Sequence, residues 1–471
     1  MEDVLRSELN KDRFVLAPEL LLTADGPKKG HALIVDGCRI SDVCPLSYLT
    51  EADAAATQHL PEKAVIPGFI DAHTHLGQTF GKALIGGEPA QIWRRIWMPM
   101  EHALNADGCY VSAKWQFLEL LRGGYTGVVN YSLNDGERNA AVHKAAKEVG
   151  IRLVSATGLD EVSIDADGRE QRVPLDAIIE RAEENIEQCA AFDRILPSVC
   201  CSSFYSNTPE TMRSLSEFCG KRGILLQIHA NEHFPEIHEC ILRFGKRPIE
   251  LLAESGVLGP TTLLHHTTLA NDHEVELLRE TRTGVSYNPI ASQWKGNAVA
   301  PALAFAERGV RMGIGTDTTR ADGFRMLDAA ESCQRIGHGM RVIDFSCGAA
   351  WLWVDTLTRG SADVCGWGKQ VGVLAPGMAA DFLVLDMERP EAIPSWDFEW
   401  ELVRYYNRDQ IDAVVVDGIP VMIGQRPVAW DDRAFVEEYR KLGIQVGSAP
   451  EIRRVHGPSE RYRPSGRNPR S

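Results

Sequence analysis

The chain has no C-x-x-C pair among its 11 cysteines, no apolar run of the ~18 residues that a membrane helix needs, and no excess of basic charge. The first absence, with an odd cysteine count, argues against both a disulfide framework and a thiolate zinc site, so the cysteines scattered from Cys38 to Cys365 are expected to be buried thiols. Residues 1–20 carry scattered charges and no uninterrupted apolar core, so neither a signal peptide nor a membrane span is expected, and the expected location is cytoplasmic. Lys and Arg number 50 against 65 Asp and Glu, a formal net charge of -15, which argues against nucleic acid and for a small substrate. What is present is ordinary globular material: 471 residues, 44% hydrophobic and 24% charged, long enough for one large α/β barrel and a smaller domain.

Along the chain, short Val/Leu/Ile runs broken by Gly and Pro in residues 13–66 predict a small β domain. From about Val65, apolar runs of strand length alternate with amphipathic stretches of helix length. The runs are AVIPGFID, TGVVNYS, IRLVSATG, RILPSVCC, ILLQIHA, TTLLHH, TGVSYN and RMGIGTD. Eight such units predict a (β/α)8 barrel on a parallel sheet. Helical text follows around Arg325 to Ile336 and Gly348 to Thr358. Strand-like text then returns in GVLAPGMAADFLVLD and IDAVVVDGIPVM, whose composition resembles that of the opening residues. The expectation is a barrel at 65–371 inserted into a small β-sandwich made from 1–64 and 372–430. Residues 431–471 are expected to form a C-terminal helix and, from Arg453 to Ser471, a surface arm.

Val65 to Gln78 reads VIPGFIDAHTHLGQ, a short buried strand with two imidazoles at its C-terminal end. Residues two apart on a strand point to one side, so His73 and His75 can reach one metal ion; two histidines satisfied in a core would give the same text. Other strand ends carry similar groups: His229 on the fifth run with Glu232 three residues on, His265 and His266 on the sixth, and Asp317 on the eighth. Barrel enzymes place their chemistry at such ends, and imidazoles with a carboxylate suit zinc, with Fe(II), Mn or Co as alternatives. Asp317 could instead cap the helix beyond it. His265 has the opposite strand parity to His266 and is expected to face outward into packing. No role is assigned to His102, His143, His233, His238 or His338.

The H-T-H after VIPGFIDA, the H-x-x-E of His229 to Glu232, His266 followed by Asn271-Asp272-His273-Glu274, Asn288-Pro289, the G-T-D ending at Asp317 and the APGMAAD near Gly377 together resemble the amidohydrolase superfamily. The similarity, from about Phe14 to Val428, is to the aminohydrolase branch with guanine deaminases, S-adenosylhomocysteine and methylthioadenosine deaminases and s-triazine hydrolases. It implies His73, His75, His229 and Asp317 as metal ligands, with Glu232, His266 and Asp317 as catalytic groups. Glu232 would move protons to and from the attacking water, and His266 would polarise the nucleophile or stabilise the tetrahedral intermediate. RILPSVCC has no lysine to bridge a second metal, so the resemblance implies one divalent ion and inclines to deamination.

The implied function is a deaminase that replaces an exocyclic amino group of a purine, pterin, pyrimidine or triazine-like ring with hydroxyl. Alternatives are cleavage of a C–N bond in an amide, urea or amidine, dechlorination, or a non-catalytic metal-binding descendant. Cytidine-type zinc deaminases need H-x-E with P-C-x-x-C, which is absent. Trp93 and Trp97, four apart in QIWRRIWMPMEHAL, could wall a flat ring or simply pack a helix. Cys200-Cys201-Ser202-Ser203 replaces a Gly-Pro-His, Thr318-Thr319-Arg320 follows Asp317, and Lys82 to Gly86 replaces an Arg-Gly; these departures point away from adenosylhomocysteine and guanine. Arg320 and Lys82 could bind an anionic or carbonyl group or be solvated charges. A homodimer or larger homo-oligomer is expected.

Overall fold

A computed structural model describes residues 2–85, 92–132, 136–164, 170–296, 298–344 and 348–450. Its centre is an eight-stranded parallel sheet in sequence order: Phe69–Thr74, Tyr125–Asn130, Arg152–Gly158, Ile195–Cys201, Leu225–Ala230, Thr262–His266, Gly284–Tyr287 and Arg311–Ile314. Six fall within the apolar runs; the first strand runs on past AVIPGFID to Thr74, and the second starts one residue before TGVVNYS. The last strand meets the first through the Asp317 N–H, which donates to the His73 carbonyl at 2.8 Å. Asp71 adds to the closure by accepting from the Thr316 N–H at 2.8 Å and from its hydroxyl at 2.7 Å. A (β/α)8 barrel results.

Helices alternate with the strands because the connections carry start and stop signals. Thr208 caps Pro209–Arg222, which ends on left-handed Gly223. Asn271 and Glu274 form a capping box on Asp272–Thr281. The helical text after the eighth strand becomes Gly323–Gln334, continued by a π-helical turn at Arg335–Gly339, and later Ala350–Asp355.

The N-terminal end of the barrel is filled from outside. Trp367, Val364 and Val371 are buried with Ile70, Val129, Val154 and Leu263 in one apolar cluster. Close approach requires glycine here: a Cβ on Gly313 would lie 2.8 Å from the Ser361 Cα, too near for any real contact. Arg152 opens the third strand and donates to Asp381 through Nε at 2.8 Å and through a terminal nitrogen at 2.9 Å, with Asp417 as a further partner. Arg194 Nε holds the other oxygen of Asp417 at 2.6 Å. Because Asp381 and Asp417 lie outside the barrel sequence, these ion pairs bind the barrel to the second sheet.

That sheet has nine strands, eight of them on one continuous path from Arg426–Pro427 through Phe382–Asp386 and Thr57–Pro67 to Arg39–Pro45, while the ninth, Gly26–Lys28, pairs off the path with Leu21 to Thr23. The first and last segments of the chain pair as expected: Phe382 to Asp386 run antiparallel to Pro67 to Lys63. One continuous sheet supplies both halves of the small domain around a shared core that includes Phe14, Leu33 and Phe382, and its far edge returns to the other half. Ile40 N–H donates to the Met378 carbonyl at 2.8 Å, and Ala380 N–H to Cys38 at 3.0 Å. Gly68 alone separates Thr57–Pro67 from the first barrel strand, with no room for a Cβ beside Thr126. The helix Asp432–Gly447 folds back onto the barrel, where the Tyr439 ring stacks on Trp115 at 4.0 Å and its hydroxyl donates to the Thr79 carbonyl at 3.1 Å. The expected arm, Arg453 to Ser471, lies outside the described residues.

Candidate metal centre

The strand ends bring six of the expected groups together. One ligand atom from each of His73, His75 and His229 lies within 4.8 Å of the other two, and the same holds for His73, His266 and Asp317. Asp317 Oδ1 is 3.3 Å from His73 Nε2 and 3.2 Å from His75 Nε2. Glu232 Oε2 lies 3.7 Å from His266 Nε2. Asp317 does not cap the following helix, since Asp322 accepts from the Arg325 N–H and does so itself.

The electrostatics prepare these groups for a cation. Burial pushes His73 down to about 3 and His266 to about 3, and holds His229 well below its ordinary value with help from the neighbouring imidazoles. The three rings are therefore neutral near pH 7, the state in which imidazole binds metal. Burial alone would raise Asp317, but the Lys295 ammonium and the contacts with His73 and His75 outweigh it and keep the carboxyl ionised. Glu232 is likewise held well below the usual range, burial being overcome by His266, Lys295 and His233. Both ring nitrogens of His73 are buried without a hydrogen-bond partner, as is His266 Nε2. Unmet buried groups of this kind cost stability, and a coordinated cation would satisfy the lone pair of one His73 nitrogen. Nitrogen and carboxylate donors in one buried cluster fit a divalent metal ion.

The backbone is strained where the chemistry gathers. Asn231, His266, Thr267, Asp317 and Thr318 all have left-handed φ, between 46° and 69°. This explains the one orientation that strand parity got wrong. His265 pairs in register with His229 and points into the barrel, stacked on the His73 ring at 3.8 Å and bonded to Gln227 Oε1 at 3.1 Å. His266, turned by its φ of 69°, approaches the same centre; alternation assumes extended backbone, which His266 lacks. The outward position expected for His265 is thus corrected.

Supporting groups come from motifs whose purpose the sequence left open. Ser286 Oγ donates to Asn288 Oδ1 at 2.8 Å, so the amide nitrogen of Asn288 faces His266 Nδ1 at 3.2 Å. That leaves the ring proton of His266 on Nε2, aimed at Glu232 and Asp317. Thr318 Oγ1 accepts from the His75 N–H at 2.8 Å. Glu274 accepts from the Asn231 side chain at 2.8 Å, and Glu236 from the backbone N–H of Glu232 at 2.9 Å.

Three groups at the site escaped the sequence reading. Lys295 Nζ is 2.7 Å from both Glu232 Oε1 and Asp317 Oδ2; its only signal was a lysine on the helix begun by Asn288-Pro289. Glu101, raised by burial and lowered by His75, accepts from Gln78 Nε2 at 2.6 Å. His233, assigned no role, lies 3.0 Å from Glu232 Oε1. Of the proposed aromatic wall, Trp97 packs over Gly81, where a Cβ would collide with its ring, while Trp93 is 38% exposed. Arg320 pairs with Asp322 at 3.8 Å and does not join the cluster, and the Lys82 side chain lies outside the described residues. Cys200 and Cys201 are buried with thiols pushed well up by that burial, which makes them poor nucleophiles.

The sequence profile of the amidohydrolase family matches residues 64–421, which includes every strand of the barrel. The chain belongs to that family. Among curated relatives, a 5'-deoxyadenosine deaminase of Methanothermobacter thermautotrophicus is 29% identical over 418 residues, 87% of this chain and 92% of the relative. A 5-methylthioadenosine/S-adenosylhomocysteine deaminase of Thermodesulfovibrio yellowstonii is 25% identical over 455 residues, 93% and 99% of the two chains. In fold the amidohydrolase chain is similar to a zinc-bound adenosine deaminase from Xanthomonas campestris, with a TM-score of 0.83, 20% identity and coverage of 92% and 98%. It is also similar to a zinc complex of atrazine chlorohydrolase from Arthrobacter aurescens, with a TM-score of 0.80, 19% identity and coverage of 91% and 100%.

Proposed function

We propose that this amidohydrolase is a metal-dependent aminohydrolase that replaces the exocyclic amino group of a purine-like ring with hydroxyl and releases ammonia. The observation that carries the reading is the cluster of His73, His75, His229 and Asp317 with a second, partly buried carboxylate, Glu232, at its edge. The named activities of the curated deaminase relatives support the purine, and adenosine derivatives altered at the 5' position are the first candidates.

In this reading His73, His75, His229 and Asp317 hold one divalent ion, zinc by preference, which when bound lowers the pKa of water toward neutrality and so supplies the nucleophile. Glu232, ionised at neutral pH, accepts the proton that this water gives up. The same carboxyl would deliver that proton to the ring nitrogen, then take the second proton from the oxygen newly bonded to the ring carbon and pass it to the amino group, so that ammonia leaves neutral and the oxygen stays on the ring. His266 presents its Nε2–H toward the oxygen on which charge develops. Trp93, exposed at the helix after the first strand, is the candidate platform for the flat ring. We assign catalysis to residues 65–371 and expect the chain to act in the cytoplasm. Among the described residues no helix is long and apolar enough to cross a membrane.

Exposed Trp294, Ile336, Met340 and Ile343 support association of copies, which light scattering would test. The reading itself is tested by assaying ammonia release from 5'-deoxyadenosine, methylthioadenosine, adenosine, aminated pterins, pyrimidines and triazines. Release from an aminopurine is the expected result. Release from none of these by zinc-loaded protein would overturn the proposal.

A further inference from the structure

Lys295 closes the helix Pro289–Lys295 and reaches back between the two carboxylates of the site. Each carboxylate is divided by it. Asp317 turns Oδ1 to His73 and His75 and Oδ2 to the lysine; Glu232 turns Oε2 to His266 and Oε1 to the lysine. The ammonium therefore holds both acids by their outer oxygens and leaves an inner oxygen of each facing the imidazoles.

From this geometry we infer that Lys295 is a positioning residue for the proton shuttle, an inference that rests on the aminohydrolase reading of Glu232. A carboxylate turns easily about its last torsion, so Glu232 needs a partner to keep Oε2 on the inner side. His233, itself 44% exposed, is a second partner of Oε1, and it lies on the outer side. An ammonium has three donors and no acceptor lone pair. It can hold two carboxylates at once, but it cannot take a proton from water, so its role is placement and charge. Two carboxylates in one buried site repel, and a cation between them offsets that repulsion and lets both stay ionised. The lysine is also carried on a helix behind the seventh strand, a rigid support for a group that must be held within a fraction of an ångström.

The test uses the full-length, zinc-loaded protein with Lys295→Met and Lys295→Arg, each alone and combined with Glu232→Gln. Melting temperature and zinc competition with a chelator establish fold and metal affinity. The inference expects Lys295→Met to keep both, to lower kcat ~10- to 100-fold with KM within about twofold, and to be largely rescued by Lys295→Arg. In the Glu232→Gln background the same change should cost less than about twofold, since the group that the lysine positions is gone. A crystal structure of zinc-loaded Lys295→Met should show Glu232 turned toward His233, a readout that needs no turnover. Equal losses in both backgrounds, unchanged kcat, a rise in KM alone, or loss of zinc from Lys295→Met would each overturn the inference. Wild-type turnover by Glu232→Gln alone would overturn the shuttle reading itself, and it is read from that single variant.

Discussion

The two ends of the barrel are built on opposite terms. At the N-terminal end, Trp367 fills the bore, and Arg152 divides its guanidinium between two aspartates that are themselves held by neighbours. At the C-terminal end, imidazole nitrogens are buried without partners, left-handed residues sit at three strand ends, and two carboxylates share one ammonium. The chain's own groups satisfy the first end, so it contributes stability. The second carries strain and unmet donors that only a bound ligand would satisfy, so it contributes chemistry at the expense of stability.

Breaking each end in turn should separate these roles. The largest expected effect is at the C-terminal rim. His73→Ala or Asp317→Ala removes one donor of the cluster and should abolish most metal binding and turnover while the barrel stays folded; metal analysis beside circular dichroism checks it. Full metal content in both variants would sink the ligand assignment. Next in size is Trp367→Ala at the opposite end, which empties the bore and should cost about 3–5 kcal/mol in urea unfolding while metal content and kcat/KM stay near wild type. A variant equally stable, or one that loses metal, would erase the contrast between the ends. Smaller again is Arg152→Met: Asp381 and Asp417 lose a buried partner, and a loss of about 3 kcal/mol is expected, with no change in KM.

The smallest effect is one of pH. Burial raises Glu236 to about 7 from an ordinary value near 4.5, so the folded chain holds this proton where the unfolded chain has released it. Stability from this group is full below pH 4.5 and declines as pH rises toward 7. Glu236→Gln should flatten that decline by at most ~3 kcal/mol, read as melting temperature at pH 5 and pH 8. An unchanged slope would show that other groups set it; buried Asp71, raised to about 7, acts in the same direction.

Much of this contrast could be read from the sequence. The eight apolar runs locate the eight strands because a parallel strand buried on both faces has to be continuously apolar. His73, His75, His229 and Asp317 were legible because each closes or follows such a run. Parity failed at His265 and His266 because it assumes extended backbone, and the left-handed φ of His266 is a tertiary outcome that no local pattern marks. Lys295 was hidden for a related reason: its two partners come from the fifth and eighth strand ends, 63 and 22 residues away. The Trp367 plug was equally hidden, since a tryptophan in a Gly-rich loop carries no sign that it fills a barrel.

The central claim is that Glu232 moves protons beside a metal and does not bind it. Metal per chain and ammonia release, measured together on wild type and Glu232→Gln, test that claim most directly. The account predicts about one divalent ion per chain in both proteins, with turnover of the variant lower by ~10²-fold or more. Near-wild-type turnover in Glu232→Gln, metal lost along with activity, or wild-type protein that binds no divalent ion would contradict it.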